Sequence, residues 1–269
     1  MKLAALFAVA LVAAQPVAAA TKLNIGTVPT VGDGPLIAAI EKGYFREQDL
    51  EVELTSFRSG ADMVPQIARG DIPLMGGGLS ASFFNAIADG MPIRYFANRA
   101  QSPVHHQLIL RKEVAAKVKS VKDLKGLRLA TTGAGSQTEY ETAKVLESGG
   151  LTLDDVEMKS LGMPETVLAL TSGAIDGSVL VPPLDRNAVQ ASHVVFLDPD
   201  DVIKQKLEVS GMFYNLDWAQ KNRDVLDRFT IAYIKGARYY LEAKRKGPNH
   251  AEDRKSTRLN SSHIPLSRM

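Results

Sequence analysis

The chain has 269 residues, 45% of them hydrophobic, no cysteine, and 32 Lys+Arg against 30 Asp+Glu. That length and apolar content suit one or two α/β domains with substantial cores, while the missing cysteines exclude a disulfide framework and a cysteine-borne lipid anchor. The net charge of +2 falls to −2 over residues 21–252, with 27 basic and 29 acidic residues, once Lys2 and the tail's Arg254, Lys255, Arg258, Arg268 and Asp253 are set aside. No nucleic-acid or membrane partner follows from such a balance.

Residues 1–20 read as a secretory signal peptide: Lys2, an apolar run over 3–14, and an Ala-x-Ala cleavage site within Val17-Ala18-Ala19-Ala20. The run is short of the roughly 20 residues that span a bilayer, so the expected destination is the periplasm. The chain then alternates strands and helices. Strands are expected at 22–27, 51–57, 72–75 and 93–98. Helices are expected at 35–42, opened by Pro35 and stopped by Gly43, at 61–69, and at 81–89 with Ser80 as N-cap and Gly90 as stop. Pro65 should delay or kink the second helix. A strand at 107–111 opens a second series: strands at 128–131, 157–161, 177–181 and 194–197, helices at 136–148, 164–171 and 183–191. A strand at 208–215 and a long amphipathic helix from 223 to about 245 close the chain.

The tail differs in kind. Asp253-Arg254-Lys255-Ser256-Thr257-Arg258-Leu259-Asn260-Ser261-Ser262-His263 has no apolar period and back-translates without a mismatch to a common sequencing-library adapter. Residues 253–269 are therefore read as a translated artefact that interrupts the natural chain near Glu252.

Several segments carry a family resemblance. Lys42-Gly43-Tyr44-Phe45 with Leu50-Glu51-Val52, Ala68-Arg69-Gly70-Asp71-Ile72, Asp123-Leu124-Lys125-Gly126, Gly133-Ala134-Gly135-Ser136, Gly149-Gly150-Leu151 with Asp155-Val156, and Ala169 to Gly177 follow one another in order. Together they resemble the substrate-binding proteins of ABC importers in the sulfonate, nitrate, taurine and thiamine-precursor (NMT1/THI5-like) group. The resemblance covers most of residues 22–215; the final quarter of a typical member is missing, so the fold is expected to be truncated at the C-terminus. It implies an α/β, two-lobed periplasmic-binding-protein fold of type II, with lobe one at 21–104, lobe two at 105–204, and 205–252 crossing back to lobe one. It also implies a monomer that traps a small molecule by hinge closure and delivers it to an inner-membrane ABC permease, without a cofactor.

The residues themselves add a site. In a two-lobed architecture the loops at 29–35 and 76–80 face those at 132–137 and 182–185, all at strand C-terminal ends. Glycine removes the Cβ obstruction and a helix start favours an anion, so a small anionic ligand (sulfonate, nitrate or carboxylate) is expected to meet Thr30, Gly78, Ser80, Thr132, Gly133, Gly135 and Ser136. Arg99 reads as a surface arginine more readily than as a partner for a carboxylate or sulfonate. His105 and His106 read as structural; adjacent on a strand, they point to opposite faces and cannot jointly hold a metal. Phe83, Phe84, Tyr214 and Trp218 read as core. A catalytic alternative, an enzyme related to thiamine-pyrimidine synthesis, conflicts with the missing cysteines of that group's iron motif. No Ser/His/Asp order, His-x-x-x-His spacing or paired-carboxylate cluster suggests another catalyst. A sensory receptor domain is a third reading.

Overall fold

The computed structural model describes residues 19–246; most of the expected signal peptide and the whole adapter-like tail lie outside the described residues. The first series runs β1 (Thr21–Thr27), α1 (Gly34–Glu41), β2 (Leu50–Ser56), α2 (Gly60–Arg69), β3 (Leu74–Gly78), α3 (Ala81–Ala88) and β4 (Ile93–Gln101). The second runs β5 (Gln107–Leu110), α4 (Lys112–Ala115), β6 (Arg128–Thr131), α5 (Gln137–Ser148), β7 (Glu157–Ser160), α6 (Met163–Ser172), β8 (Gly177–Leu180), α7 (Leu184–Gln190) and β9 (Val194–Leu197). It is followed by α8 (Pro199–Val202), β10 (Glu208–Asn215), α9 (Leu216–Lys221) and α10 (Arg223–Lys246).

Two separate five-stranded sheets result, in the orders β2-β1-β3-β10-β4 and β7-β6-β8-β5-β9. In each, three strands pair in parallel and a fourth, β10 or β5, runs antiparallel to its two neighbours. The pattern is a βαβαβ unit closed by a strand that arrives from the other side. The chain leaves the first lobe between β4 and β5 and returns between β9 and β10. The two crossings hold each other: Ser102 N–H donates to Leu207 O at 2.8 Å, and Leu207 N–H to Ser102 Oγ at 2.8 Å.

The central strands of each sheet are buried on both faces, and neighbouring residues serve opposite faces as the two-residue period requires. Met212 packs with Leu23, Leu36 and Phe229 beneath α1 and α10, while Phe213 packs with Met63, Ile67 and Phe83 beneath α2 and α3. In the second sheet Leu108 and Leu110 join Leu129 and Val145 on one face, and Ile109 joins Ala130 and Leu170 on the other. Phe83 stacks on Phe213 with ring centres 4.0 Å apart, and burying one such side chain stabilises by about 1.5–3 kcal/mol. Phe84, the next residue on α3, is 55% exposed: one helix face cannot bury two consecutive residues. Tyr214 and Trp218 pack partly buried against the first core.

Three local departures from the sequence reading have physical causes. β3 starts at Leu74 and runs on through Gly76, Gly77 and Gly78, where a loop was expected. Pairing with β1 and β10 supplies the hydrogen bonds, and the glycines yield to their neighbours: an added Cβ at Gly76 would stand 2.4 Å from Arg99 Nη1, and at Gly77 2.4 Å from Met63 Cε. Pro65 does not delay α2, which starts at Gly60 because Ser59 Oγ accepts Asp62 N–H at 3.2 Å. His105 and His106 precede β5 instead of lying on a strand.

Gly236, in the middle of α10, lets that helix lie against α1. A Cβ there would fall 2.4 Å from Pro35 O and 2.6 Å from Ala39 Cβ. Alanine would gain about 1 kcal/mol of helix propensity, but overpacking against rigid backbone costs about 1–3 kcal/mol. Gly236→Ala is expected to lower the urea midpoint; a raised midpoint would show that α10 slides freely.

Asp176 closes the base of the second sheet. Its carboxylate accepts Arg128 N–H, Nε–H and Nη2–H at 3.0, 3.0 and 2.8 Å, and Arg111 Nη2–H at 3.0 Å. The hydrogen bond from Arg128 leads in holding its pKa down to about 2, against the ordinary 3.8. A depressed carboxylate pKa contributes stability above the unfolded value and loses it as pH falls through the folded one. The wild type is therefore expected to lose on the order of 1–2 kcal/mol between pH 5 and pH 2 that Asp176→Asn no longer has to lose. Parallel denaturation curves for the two proteins over that range would contradict this.

Candidate functional site

Between the two sheets lies a cavity of about 460 Å³. Four helices present their first residues to it: α1 through Pro35, α2 through Ser59 and Gly60, α5 through Gln137 and Thr138, and α6 through Met163. α/β units aim helix starts at the C-terminal edge of the sheet, and two such units facing each other bring the four together. Each start carries about half a positive charge, and Ser59 and Ser136 cap two of them, accepting Asp62 N–H and Glu139 N–H. The wall also holds Arg58 and Lys244, Arg58 being paired with Asp62 at 2.9 Å.

The first-lobe wall contains a buried ion pair. Arg99 on β4 binds Asp33 before α1, with both side chains 1% exposed, and its Nε–H donates to Gly32 O at 3.2 Å. Burial pushes the Asp33 carboxyl up against the downward pull of the Arg99 guanidinium. Arg99 is thus neither a surface residue nor a free cation: its charge ties the start of α1 to the central sheet.

The second-lobe wall contains a buried histidine–carboxylate contact. His106 Nδ1 lies 2.9 and 3.1 Å from the two carboxylate oxygens of Glu141 on α5, and Gln137 Nε2–H donates to the same carboxylate at 2.8 Å. His105 turns away, its ring 72% exposed and 3.2 Å from Asp198. Asp198 Oδ1 accepts Asp200 N–H, and Asp200 Oδ2 accepts the N–H groups of Val104 and His105. Those carboxylates tie α8 to the crossing segment, and we read this corner as structural.

A family profile described as NMT1/THI5-like matches residues 33–246. The chain belongs to that family. Among NMT1/THI5-like relatives, the taurine-binding periplasmic protein of Escherichia coli (strain K12) is 25% identical over 207 residues, covering 76% of this chain. This chain spans only 62% of that protein's length. The formylaminopyrimidine-binding protein of Halalkalibacterium halodurans is 24% identical over 237 residues, with 86% of this chain and 68% of that protein covered. In structure, the alkanesulfonate-binding protein SsuA from Xanthomonas axonopodis pv. citri, bound to MOPS, superposes with a TM-score of 0.74 at 19% identity, covering 90% of this chain and 79% of that one. The fold is the α/β, two-lobed periplasmic-binding-protein fold of those neighbours. These relatives are named as binding proteins, not enzymes.

Of the residues singled out from sequence, Thr30, Gly78 and Thr132 line the cavity. Thr30 caps the turn before α1, its Oγ1 accepting Gly32 N–H at 3.2 Å. Thr132 N–H donates to Thr138 Oγ1 at 3.1 Å, so its backbone donor is already used. Ser80, Gly133, Gly135 and Ser136 stand outside the cavity wall. Ser136 Oγ accepts Glu139 N–H at 3.3 Å, and Gly135 N–H donates to the Glu139 carboxylate at 2.7 Å, so this loop is spent on capping α5. Gly135 has φ +70, and a Cβ on it would stand 2.4 Å from Ser82 Oγ at the start of α3, in the opposite lobe. Ser80 precedes α3 with its hydroxyl buried and without a hydrogen-bond partner. Sequence reasoning did not place Ser59, Gln137 or His106 at the cavity. The first carried a usable signal, a serine three residues before Asp62 at a helix start; the other two are linked through Glu141, which no spacing rule connects to His106.

Proposed function

We propose that the protein is an extracytoplasmic solute-binding protein that captures a small anion of the sulfonate, nitrate or carboxylate class and presents it to an ABC permease. The observation that carries this reading is the meeting of four helix N-termini on one cavity between two lobes. An anion at one helix start gains about 0.3–1 kcal/mol, and up to about 2 when partly buried; four starts make a strong and selective trap. Residues 21–104 act as lobe one, 105–204 as lobe two, and 205–252 as the return, with the paired crossings at 101–107 and 198–208 as the hinge. Thr30, Gly78 and Thr132 border the ligand, while Ser80, Gly133, Gly135 and Ser136 shape the closing edges. The names of the relatives, binding proteins among them a periplasmic one, support work in the periplasm, and we read the protein as a monomer that binds without catalysis; no helix among the described residues is long and apolar enough to cross a membrane.

A thermal-shift screen with taurine, ethanesulfonate, nitrate, acetate and neutral formylaminopyrimidine tests it. A ligand at 100 times its Kd adds about 2.7 kcal/mol of stability, so at least one anion should raise the midpoint by several degrees. A rise with the neutral pyrimidine alone, or with nothing, would overturn the anion reading.

A further inference from the structure

We propose that His106 is a specificity-determining, ligand-contacting residue, donating from Nε2 into the cavity, with its donor state held by Glu141. The inference rests on the anion-capture reading and adds to it a residue on the second lobe, a charge requirement and a pH dependence.

Three observations converge. His106 lines the cavity although its side chain is only 11% exposed, so what it exposes faces the guest space. Its Nδ1 is committed to Glu141, whose side chain is 7% exposed and whose carboxylate is further held by Gln137. Its Nε2 makes no hydrogen bond among the described residues and is not sealed in the interior, which leaves it open to the cavity. A histidine bonded through Nδ1 to a carboxylate keeps its proton at Nδ1 when neutral, making Nε2 an acceptor. When charged, the same ring offers Nε2–H as a donor. An anionic oxygen is therefore bound by the charged ring and repelled by the neutral one. The ring is a switch between two ligand preferences.

The surroundings favour the charged ring over the neutral one. Burial works against the charge, but the Glu141 carboxylate, its hydrogen bond, and Asp200 and Asp198 beside α8 outweigh it and lift the pKa above the ordinary 6.5. Across the cavity stand Lys244, Arg58, paired with Asp62, and Arg99, neutralised by Asp33. The sign follows directly. Anion affinity is full below the pKa of His106 and falls as pH rises through it, by up to tenfold per pH unit above it. Gln137 extends the effect to the lobe boundary: it holds Glu141, and a Cβ added at Gly78 in the first lobe would stand 2.4 Å from its Oε1.

The experiment is calorimetry with ethanesulfonate, whose charge is fixed over the range, from pH 6 to pH 9 in buffers free of sulfonates. For the wild type, Kd is expected to rise at least tenfold across the range. For His106→Gln, which keeps a neutral donor, binding at pH 6 is expected to be at least tenfold weaker and flat with pH. Glu141→Gln should move the break to lower pH. Should either variant misfold, nitrogen-detected NMR of wild-type His106 supplies a second reading: ethanesulfonate should shift its Nε2 resonance and raise its pKa. Wild-type binding with an unchanged profile in His106→Gln, or an unmoved Nε2 signal, overturns the role of His106 alone. If ethanesulfonate, taurine, nitrate and acetate all fail to bind the wild type at pH 6, the capture reading falls and this inference with it.

Discussion

Asp33→Ala is expected to destabilise the protein by about 3–5 kcal/mol at pH 7, because it strands the Arg99 guanidinium in the interior with the Gly32 carbonyl and the Tyr233 hydroxyl as neutral partners. Two charged side chains, each 1% exposed, survive there only as a pair. Removing one partner imposes the full desolvation penalty on the other, whereas removing both leaves an apolar gap that the neighbouring Tyr233 of α10, already buried, can help to fill. The double variant Asp33→Leu with Arg99→Met should therefore recover most of the loss, since apolar replacement of a buried pair is often neutral or stabilising. Equilibrium urea denaturation of Asp33→Leu, Arg99→Met and the double variant completes the cycle. A loss below 1 kcal/mol in Asp33→Ala would mean that the pair is open to water in solution. The consequence for function is positional: the pair ties the start of α1, one of the four helix N-termini at the cavity, to β4.

Gly78→Val is expected to weaken ethanesulfonate binding about a hundredfold, some 2.7 kcal/mol, while leaving the unfolding midpoint of the ligand-free protein nearly unchanged. Gly78 ends β3 and needs no left-handed backbone, so valine suits its strand conformation. Its Cβ would, however, occupy the place of Gln137 Oε1, 2.4 Å away in the opposite lobe. Overpacking of that kind costs about 1–3 kcal/mol, and it is met only when the lobes approach. Gly135→Val also narrows the lobe boundary, against Ser82, but forces a β-branched residue to φ +70 and so loses folding stability as well. Comparing the two variants separates closure from folding. Equal affinities for wild type and Gly78→Val would show that the ligand is held without the lobes meeting at this edge.

The alternating strands and helices were legible because their cues are local. Pro35 opens a helix and Gly43, at φ +75, follows its end; the apolar strand at β5 puts Leu108 and Ile109 on opposite faces by period alone. The order of six short motifs carried the family. At the glycine run, expectation and structure parted because a partner distant in sequence had decided the matter. Gly76 to Gly78 look like a loop and lie in a sheet because β10, some 130 residues later, supplies the pairing.

The candidate site divides along the same line. Thr30, Gly78 and Thr132 were placed at the cavity from strand ends and glycine spacing, since any α/β unit puts its loops there. Charge was not legible in that way. Arg99 reads as a surface arginine until Asp33, 66 positions away, is found buried against it. The partner of His106 is Glu141, 35 positions on, which takes its Nδ1; the ligand role proposed for the ring rests on that pair and on the cavity it lines. Local sequence determines which backbone segments are strand, helix and turn, because propensity, capping and period act within a few residues. Which side chains are ionised, buried or free to meet a ligand is decided only when the two sheets close around them, because desolvation and Coulomb energy depend on neighbours that only the fold assembles.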